Sequence, residues 1–317
     1  MTRFETIHVY PPGVAKFFGD ATKAELGERT YVVPKDQDEF EAMLPDIEIL
    51  FAFGVQVEDW SVAKNLKLIQ NTGAGVDWLL PANGLSTDVA VCSAKGAHEP
   101  HMPEFALAML FAMAYQVPTL IAQQQEAVWK ITKPLPLSGR TLCVVGLGTI
   151  GQSVARRAQA LGMRVVGVRR SGEPLDGIET VVTPEERLKV LAGADAVVVI
   201  TPLTDETRGL IGEAEFAALN NGALFVDLSR GGVTNTDALV AALASGQLRG
   251  AAVDVFEQEP LPSDSPLWNV PNLLVTPHVA GNSLDYQRLI ALQFKANLEA
   301  LEQGAVPPRI VDHQLGY

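Results

Sequence analysis

The sequence predicts an α/β fold made of two doubly wound parallel-sheet domains. Short apolar strands alternate with helical segments throughout the 317 residues, which is the pattern of parallel α/β units. Several strands, such as TLCVV, DAVVVI and ALFVD, are nearly continuous runs of apolar residues, as expected for strands buried on both faces of a sheet. A chain of this length can form two domains, each with its own core.

The predicted strands fall in two series with helical patterns between them. They lie near residues 4–10, 30–33, 47–52, 67–70 and 88–93, and then near 141–145, 163–168, 195–200, 223–227, 250–253 and 272–275. One long helix is predicted over residues 103–126, with Pro103 in its first turn and Glu104 at the positive end of its dipole. Its first three turns are apolar all round and must be buried, preferably against a second subunit or alternatively within one chain.

Composition limits the partners and the compartment. Hydrophobic residues make up 47% and charged residues 19%, as in ordinary globular proteins, and the net charge of −13 argues against nucleic acid and membrane partners. The N-terminus has no signal-peptide core, and the longest apolar run, residues 105–115, is too short to cross a bilayer. Cys92 and Cys143 lie in apolar runs and are expected to be core residues rather than a disulfide pair, which suits the cytoplasm.

The stretch GLGTIG, Gly146 to Gly151, predicts a dinucleotide-binding turn. It follows a strand, opens a helix and precedes a second strand, which is the context that this motif requires. Gly146 permits the tight bend, Gly148 lets the backbone approach a pyrophosphate, and Gly151 allows close packing of helix and strand. The helix start at Thr149 and Ile150 offers free N–H groups to the anion.

The strand after this turn ends in Arg169, Arg170 and Ser171 instead of an acidic residue. A carboxylate there would bind the adenosine ribose and repel a 2′-phosphate, whereas a guanidinium pairs with that phosphate. The three residues therefore favour NADP(H), with NAD(H) still possible. The alternative is that the arginines are solvated surface residues, and Glu173 would weaken the preference if a bent loop brought it to the ribose.

Further motifs occur in a characteristic order along the chain. They are NTGAGVDWL (71–79), TPLTDETRGLI (201–211), SRGGVTNTDALVAALASGQLRGAAVDVFEQEPLP (229–262) and VPNLLVTPHVAGNS (270–283). With GLGTIG, this ordered set resembles the D-isomer-specific 2-hydroxyacid dehydrogenase family, and the resemblance covers roughly residues 50–283. Within the family, the glyoxylate and hydroxypyruvate reductases are the nearest subgroup, and phosphoglycerate dehydrogenase is less favoured.

The resemblance assigns a catalytic trio of Arg230, Glu259 and His278. Arg230 would bind the carboxylate and ketone oxygens of a 2-oxo acid, and His278 would supply a proton, because imidazole titrates near neutral pH. Glu259 would hold the other ring nitrogen of His278, and Glu257 is its rival in the same acidic run. Taken singly, each residue could instead be structural: a salt-bridged arginine, a surface acid or a core histidine.

The resemblance also assigns residues that contact the cofactor and the substrate. Asp254 would lie near the nicotinamide carboxamide, although a strand-end acid that caps a loop is the alternative. Gly75 and Val76 would donate backbone N–H groups to the substrate carboxylate, while Asn71 and Asp77 could simply hold that turn. The remaining assignments are Thr201, Pro202, Thr207 and Gly281 at the cofactor. Independently of the resemblance, Phe51, Phe53 and Gly54 follow an early strand and are expected to form a partly apolar pocket for the substrate side chain. Phe53 is the predicted contact, and the alternative is that either phenylalanine points into the core.

His98 and His101 invite a metal hypothesis, but no carboxylate or thiolate set accompanies them, so no metal is predicted. The resemblance implies a flavodoxin-like substrate domain, residues 1–98 with 284–317, and a Rossmann cofactor domain, residues 99–283, with the active site in the cleft between them. It also implies a homodimer formed through the cofactor domain. The predicted function is reduction of a small 2-oxo acid, and the alternative is a corepressor-like module that senses a dinucleotide with little turnover.

Overall fold

The computed structural model describes residues 3–76, 78–79 and 83–311. Contacts along the chain divide it into two compact units. The first unit combines the chain up to His98 with the segment from Ser283 onward, and the second unit is Glu99–Asn282. Each unit is built on one parallel β-sheet, which confirms the predicted α/β class.

The sheet of the first unit has the flavodoxin-like strand order. Within the described residues its strands follow the order β2-β1-β3-β4-β5, and every neighbouring pair is parallel. The strands are β1 (Thr6–Tyr10), β2 (Thr30–Val32), β3 (Ile49–Ala52), β4 (Leu68–Asn71) and β5 (Ala90–Cys92).

Helices from both ends of the chain cover this sheet. They are α1 (Pro12–Leu26), α2 (Gln37–Met43) and α9 (Tyr286–Glu302), of which α9 comes from the C-terminal segment. Phe51 of β3 lies fully buried between α1 and α9, with its ring edge-on to Phe18 and stacked on Phe294 at 4.9 Å. Packing of this kind explains why the C-terminal helix belongs to the first unit.

The sheet of the second unit has the Rossmann strand order extended by one strand. Within the described residues the order is β12-β11-β10-β9-β6-β7-β8, all parallel. The strands are β6 (Thr141–Val145), β7 (Arg164–Val168), β8 (Thr180–Val182), β9 (Ala196–Val199), β10 (Ala223–Asp227), β11 (Leu248–Val253) and β12 (Leu273–Val275).

Strand β8 was not predicted from the sequence. It is only three residues long, and Thr180 at its start is exposed while Val182 at its end is buried. A short, half-exposed edge strand lacks the long apolar run that marks the other strands, so the pattern alone could not reveal it.

The helices of the second unit lie on both faces of its sheet. They are α3 (Met102–Ala114), α4 (Val117–Gln125), α5 (Thr149–Ala160), α6 (Leu188–Leu191), α7 (Glu213–Ala218) and α8 (Thr236–Ala244). Cys143 in β6, like Cys92 in the first unit, is a free and buried cysteine, as predicted. Burial raises the pKa of each thiol to about 12, so both thiols stay protonated.

The prediction of one helix over residues 103–126 was wrong. The segment forms α3 and α4, which meet at a bend of 61°, with Gln116 in the left-handed region at φ 55°. Pro118 explains the break, because proline cannot donate an N–H to the carbonyl of Ala114 and is tolerated only in a first helical turn.

The apolar first turns of this segment are buried within the chain itself. Residues of α3, including Leu107, Leu110 and Met113, belong to a core cluster with strands β6 and β10 of the same unit. One face of α3 is thus buried within the chain, as in the alternative interpretation, whereas Phe105, Met109 and Phe111 on the remaining surface are only partly buried. Burial of that remaining surface against a second subunit stays a prediction. In contrast, α4 has no buried residue.

None of the described helices is long and apolar enough by itself to span a membrane. Helices α3 and α4 reach the necessary length and apolar composition only when they are taken together across their 61° bend.

Candidate active site

The predicted site residues of the second unit all follow the carboxyl ends of its strands. Because parallel strands point the same way, the loops that follow them meet at one edge of the sheet. In sheet order these loops carry His278 after β12, Asp254 and Glu259 after β11, Arg230 after β10, Thr201 after β9, Gly146 to Gly151 after β6, and Arg169 after β7.

The glycine-rich turn leads from β6 into α5, and two of its glycines have no room for a side chain. Gly146 has φ +107°, and a Cβ there would lie 2.3 Å from the carbonyl oxygen of Ile200. A Cβ at Gly151 would lie 2.1 Å from the carbonyl oxygen of Gly146, so only glycine permits this close approach of helix and strand. Gly148 has no atom within 4 Å of its Cβ position and is open.

Unused hydrogen-bonding groups surround this turn. Within the described part of the chain, the N–H groups of Thr149, Ile150 and Gly151 at the start of α5 have no acceptor. The hydroxyl of Thr201 is buried and also lacks a partner among the described residues. Its methyl group lies 3.0 Å from the Cβ position of Gly146, so this hydroxyl is next to the turn. Buried polar groups are normally paired, and an unpaired one beside a set of free N–H groups fits a bound ligand.

The end of β7 places Glu173 beside the residues predicted to bind a 2′-phosphate. A guanidinium nitrogen of Arg169 lies 3.7 Å from a carboxylate oxygen of Glu173, and the hydroxyl of Ser171 lies 3.3 Å from the same oxygen. Arg170 is exposed. A surface ion pair of this kind is worth about 0–1 kcal/mol, so a phosphate with two negative charges can displace the carboxylate.

Thr207 forms hydrogen bonds within its own loop, the one that follows β9. Its hydroxyl donates to the carbonyl of Pro202 at 2.7 Å and accepts from the N–H of Thr204, also at 2.7 Å. These bonds give Thr207 a role in loop shape. The cofactor contacts assigned to Pro202 and Thr207 stay predictions.

His278 and Glu259 form a close pair. The Nδ1 atom of His278 lies 2.7 Å from Oε2 of Glu259, and Oε1 of Glu259 accepts from the N–H of Phe256 at 2.8 Å. Glu259 is thus held by its own loop and holds one nitrogen of the ring. The imidazole is 44% exposed, which leaves Nε2 as the ring atom open to a ligand.

Asp254 anchors the loop that carries His278. Its Oδ1 accepts from the hydroxyl of Thr276 at 2.5 Å and from the N–H of Val279 at 2.9 Å, and its Oδ2 accepts from the N–H of Ala280 at 2.8 Å. Its carbonyl accepts from the N–H of His278, whose φ of 52° is uncommon for a residue with a side chain. The geometry therefore matches the alternative interpretation, a buried strand-end acid that caps a loop.

Arg230 lies in a loop that Asp227 holds. Asp227 is 2% exposed, and it accepts from the N–H of Ser229 at 2.9 Å, from the hydroxyl of Ser229, and from the hydroxyl of Thr234 at 2.5 Å. Burial raises the pKa of this carboxyl group. The sequence analysis missed Asp227, although an acid that directly ends a buried apolar strand was a visible signal.

The Arg230 loop packs directly on the loop that carries Glu259. A Cβ at Gly231 would lie 2.1 Å from the carbonyl carbon and oxygen of Phe256, so the two backbones touch. Glu257 and Arg230 line one small cavity at this contact. Glu257, the rival of Glu259, thus lines the same cavity as Arg230, whereas Glu259 is the acid that contacts His278.

The residues of the first unit that were predicted to bind substrate differ in how far they are exposed to solvent. Phe51 is fully buried in the core, whereas Phe53 is 52% exposed, so Phe53 is the phenylalanine open to a ligand. Gly75 is half-buried and Val76 is fully buried. Asp77, which was considered for holding this turn, lies outside the described residues.

The two histidines that invited a metal hypothesis have other neighbours. The ring of His98 stacks on Tyr286 with their centroids 5.1 Å apart. The Nε2 atom of His101 lies 2.7 Å from the carbonyl oxygen of Gly281 in the His278 loop. Within the described residues no three His, Cys, Asp or Glu side chains could together hold a metal ion.

A Rossmann sheet whose carboxyl edge carries a dinucleotide turn, an arginine and an acid–histidine pair defines a nucleotide-dependent oxidoreductase. Residues 107–280 match the family model for the NAD-binding domain of D-isomer-specific 2-hydroxyacid dehydrogenases. The chain belongs to this family and is an NAD(P)-dependent oxidoreductase.

Individual relatives agree with this assignment. A glyoxylate reductase from Korarchaeum cryptofilum is 33% identical over 89% of this chain and 84% of its own length. A D-3-phosphoglycerate dehydrogenase from Methanocaldococcus jannaschii is 32% identical over 92% of this chain, which spans only 58% of that relative. The structure also resembles an NADPH-dependent glyoxylate/hydroxypyruvate reductase from Sinorhizobium meliloti in complex with NADP and sulfate, with TM-score 0.85, 28% identity and coverage of 99% and 100%.

Proposed function

We propose that this protein reduces a small 2-oxo acid of the glyoxylate or hydroxypyruvate type to the D-2-hydroxy acid, with NADPH as the preferred cofactor. The observation that carries the proposal is the pair of His278 and Glu259, 2.7 Å apart at the sheet edge that also holds the dinucleotide turn. The glyoxylate reductases among its relatives support the substrate class. Reduction is the proposed direction, since cells keep NADPH largely reduced.

The residues at the sheet edge fit NADP(H). Thr149 and Ile150 would donate N–H groups to the pyrophosphate, and Thr201 would satisfy its buried hydroxyl on the bound cofactor. Arg169, assisted by Arg170 and Ser171, would pair with the 2′-phosphate after displacing Glu173. When bound, the cofactor supplies the hydride.

The catalytic trio acts on the two functional groups of the substrate. Arg230 binds the carboxylate and polarises the ketone oxygen, which gains negative charge as the carbonyl carbon is reduced. His278 donates a proton from Nε2 to that oxygen, because its Nδ1 is engaged by Glu259. Glu259 fixes the ring orientation and stabilises the imidazolium form. Asp254 and Asp227 hold the loops on which His278 and Arg230 are carried.

The two units take different roles in this proposal. The first unit is the substrate domain, in which Gly75 and Val76 contribute backbone N–H groups to the carboxylate and Phe53 faces the substrate side chain. The second unit is the cofactor domain. A corepressor-like binding module is not favoured, since the relatives in hand are reductases and dehydrogenases.

The direct test is a set of initial rates with a panel of 2-oxo acids. The panel runs from glyoxylate and hydroxypyruvate to pyruvate, phenylpyruvate and branched acids, each with NADPH and with NADH. The expected result is fast NADPH-dependent reduction of the smallest acids. Turnover with NADH alone would contradict the cofactor preference, and no turnover with either would contradict the function.

Arg169→Asp is expected to shift cofactor use from NADPH toward NADH. The substitution replaces a charge-assisted contact with a repulsive carboxylate, so KM for NADPH rises about ten- to a hundredfold while KM for NADH changes little. The measurement is the ratio of kcat/KM for the two cofactors with glyoxylate.

Two further variants make this result specific. Arg164→Asp has the same charge change at the opposite end of β7, where Arg164 bonds the hydroxyl of Thr141, and it should leave the ratio unchanged. Glu173→Gln removes the competing carboxylate and should favour NADPH further. An unaltered ratio in Arg169→Asp would show that Arg169 does not bind the 2′-phosphate.

We also propose that the protein is a homodimer formed through the cofactor domain. Helix α4 and the residues after it expose a run of large apolar side chains, which monomeric proteins rarely leave in contact with water. The exposed residues are Val117, Leu120, Ile121, Val128, Trp129 and Ile131, and Trp129 is 99% exposed.

Leu120→Glu/Ile121→Glu is expected to give a monomer with a normal fold. Both side chains are 42–51% exposed, so charges there cost little in a monomer but are unfavourable in a buried interface. Sedimentation velocity measures the mass, and circular dichroism checks the fold. Leu188→Glu, at a 43% exposed leucine elsewhere in the unit, should stay dimeric. A wild-type monomer, or a dimer that survives the double substitution, would contradict the proposed surface.

A cytoplasmic location completes the proposal. Both cysteines are free and buried, and burial keeps them protonated, so neither is poised to form a disulfide. A chain with only such thiols suits a reducing compartment.

A further inference from the structure

The loop that follows β4 carries an arrangement of polar groups that the catalytic trio does not use. Asn71, the last residue of β4, is fully buried, yet its amide nitrogen donates to two carbonyls of this loop. The acceptors are Gly73 at 2.9 Å and Gly75 at 2.6 Å. Since the amide faces two carbonyl oxygens, only the orientation with nitrogen toward them is stable. One buried side chain therefore sets the direction of two peptide groups.

Two further carbonyls of the loop, those of Thr72 and Val76, are also held. The carbonyl of Thr72 accepts from the hydroxyl of Tyr286 at 2.6 Å, and that of Val76 accepts from the N–H of Leu79 at 2.8 Å. The carbonyl of Gly73 accepts a second bond, from the N–H of Ala94 at 2.9 Å. Burial raises the pKa of Tyr286 to about 12, so its hydroxyl keeps its proton and remains a donor.

The N–H groups of the same loop are unused. Within the described residues, those of Gly73, Ala74 and Gly75 donate to no acceptor, and all three residues are partly exposed. In a trans peptide the C=O and the N–H point in opposite directions. The held carbonyls of Thr72, Gly73 and Gly75 therefore turn the N–H groups of Gly73, Ala74 and Val76 away from the groups that hold them. Carbonyls drawn in and N–H groups left free make a concave site for an anion.

From this geometry we infer that Asn71 is a positioning residue, which shapes the 73–76 loop so that its backbone N–H groups bind the substrate carboxylate. The inference rests on the proposed function and deepens it, because it adds the group that aims the loop. Asn71 has no exposed surface and acts only through the loop. Phe53 lies against the same loop, since a Cβ at Gly73 would come 2.8 Å from its ring. The shape of the loop therefore also affects the position of Phe53, the residue proposed to contact the substrate side chain.

Asn71→Ala is the first test, with Asn297→Ala as its matched control. Asn297 is an equally buried amide of the first unit, and it bonds Gln70 and the N–H of Arg309 instead of the loop. The loss of loop shape removes contacts to a charged carboxylate, so KM for glyoxylate should rise about ten- to a hundredfold. The value of kcat should change much less, because the lost contacts bind the ground state and the transition state alike. KM for NADPH should not change.

Asn71→Ala and Asn297→Ala are expected to lower the melting temperature by similar amounts, since each removes one buried amide. Asn297→Ala, however, should leave KM for glyoxylate unchanged. An unchanged KM in Asn71→Ala, or an equal rise in both variants, overturns the inference. If Asn71→Ala does not fold, Asn71→Leu carries the test, because it keeps a buried side chain of similar size and removes the N–H donor to Gly73 and Gly75. That variant should also raise KM for glyoxylate about tenfold or more, and an unchanged value again overturns the inference.

A binding measurement separates this inference from the proposed function. Oxalate is an analogue of a 2-oxo acid: it has the carboxylate that the loop is proposed to bind, but the enzyme cannot reduce it. Its binding therefore reports on the loop without turnover. Oxalate should raise the melting temperature of the wild-type chain and of Asn297→Ala, and it should fail to do so in Asn71→Ala. If 2-oxo acids are not reduced but this pattern holds, only the proposed reaction fails. If they are reduced but oxalate stabilises Asn71→Ala as much as the wild type, only the Asn71 assignment fails.

Discussion

Replacing His278 with alanine is expected to lower kcat for 2-oxo acid reduction by about 10²–10⁴-fold, the usual contribution of general acid catalysis. The imidazole is held at Nδ1 by Glu259, 2.7 Å away, and its loop is anchored by three bonds to Asp254. His278 is the titratable side chain that Glu259 holds, so the substitution removes the proposed proton donor together with its orientation. The dissociation constant of NADPH, measured by fluorescence titration, should stay within about twofold because the dinucleotide turn is untouched. A near-normal kcat would remove His278 from the mechanism.

The neighbouring acids provide a matched control for this pair. Glu259→Gln should lower kcat at least about tenfold, because a neutral amide no longer stabilises the imidazolium form. Glu257→Gln changes the same chemical group two residues earlier, beside Arg230, and should have the smaller effect. A larger loss in Glu257→Gln would contradict the assignment of Glu259 as the partner of His278.

Substitution of alanine at two glycines of the dinucleotide turn should weaken NADPH binding in both cases but lower stability in only one. Gly151→Ala forces a Cβ to within 2.1 Å of the carbonyl oxygen of Gly146, so the backbone must move and stability should fall by about 1–3 kcal/mol or more. Gly148→Ala meets no atom within 4 Å and has φ −77°, which alanine adopts freely, so the melting temperature should not change. NADPH binding should nevertheless weaken, because the new methyl group occupies the space left for the pyrophosphate.

Calorimetry and fluorescence titration separate these outcomes. Gly151→Ala should lose both melting temperature and cofactor affinity, whereas Gly148→Ala should lose affinity alone. Normal NADPH affinity in Gly148→Ala would mean that the pyrophosphate does not approach this side of the turn. A normal melting temperature in Gly151→Ala would mean that the helix and strand can separate without cost.

Local patterns were sufficient to predict most of the fold. The buried strands of both units were recognised because Val, Ile and Leu run almost without interruption along them. Strand β8 was missed because three half-exposed residues carry no such run. The single helix over residues 103–126 was wrong because the apolar pattern continues past Pro118, while the backbone cannot.

The site shows the same limit at the level of single residues. The sequence placed Glu257 and Glu259 in one acidic run and could not choose between them by chemistry alone. Phe51 and Phe53 were likewise equivalent in sequence, yet one is fully buried and the other is 52% exposed. Asp227 was not assigned a role, and Asn71 was considered only as a residue that could hold its turn, because the importance of both lies in the loops that they hold.

The sequence by itself determined most of the strands, the dinucleotide turn, the family and the choice of Glu259 as the partner of His278, since these depend on local periodicity, on glycines that permit positive φ, and on the order of motifs. Only the tertiary structure decided which phenylalanine is exposed, which residues bury one face of α3, and which side chains hold the loops of the site. Those facts depend on contacts between residues that are far apart in the chain. The strand order and the packing of the core create such contacts, and no local pattern contains them.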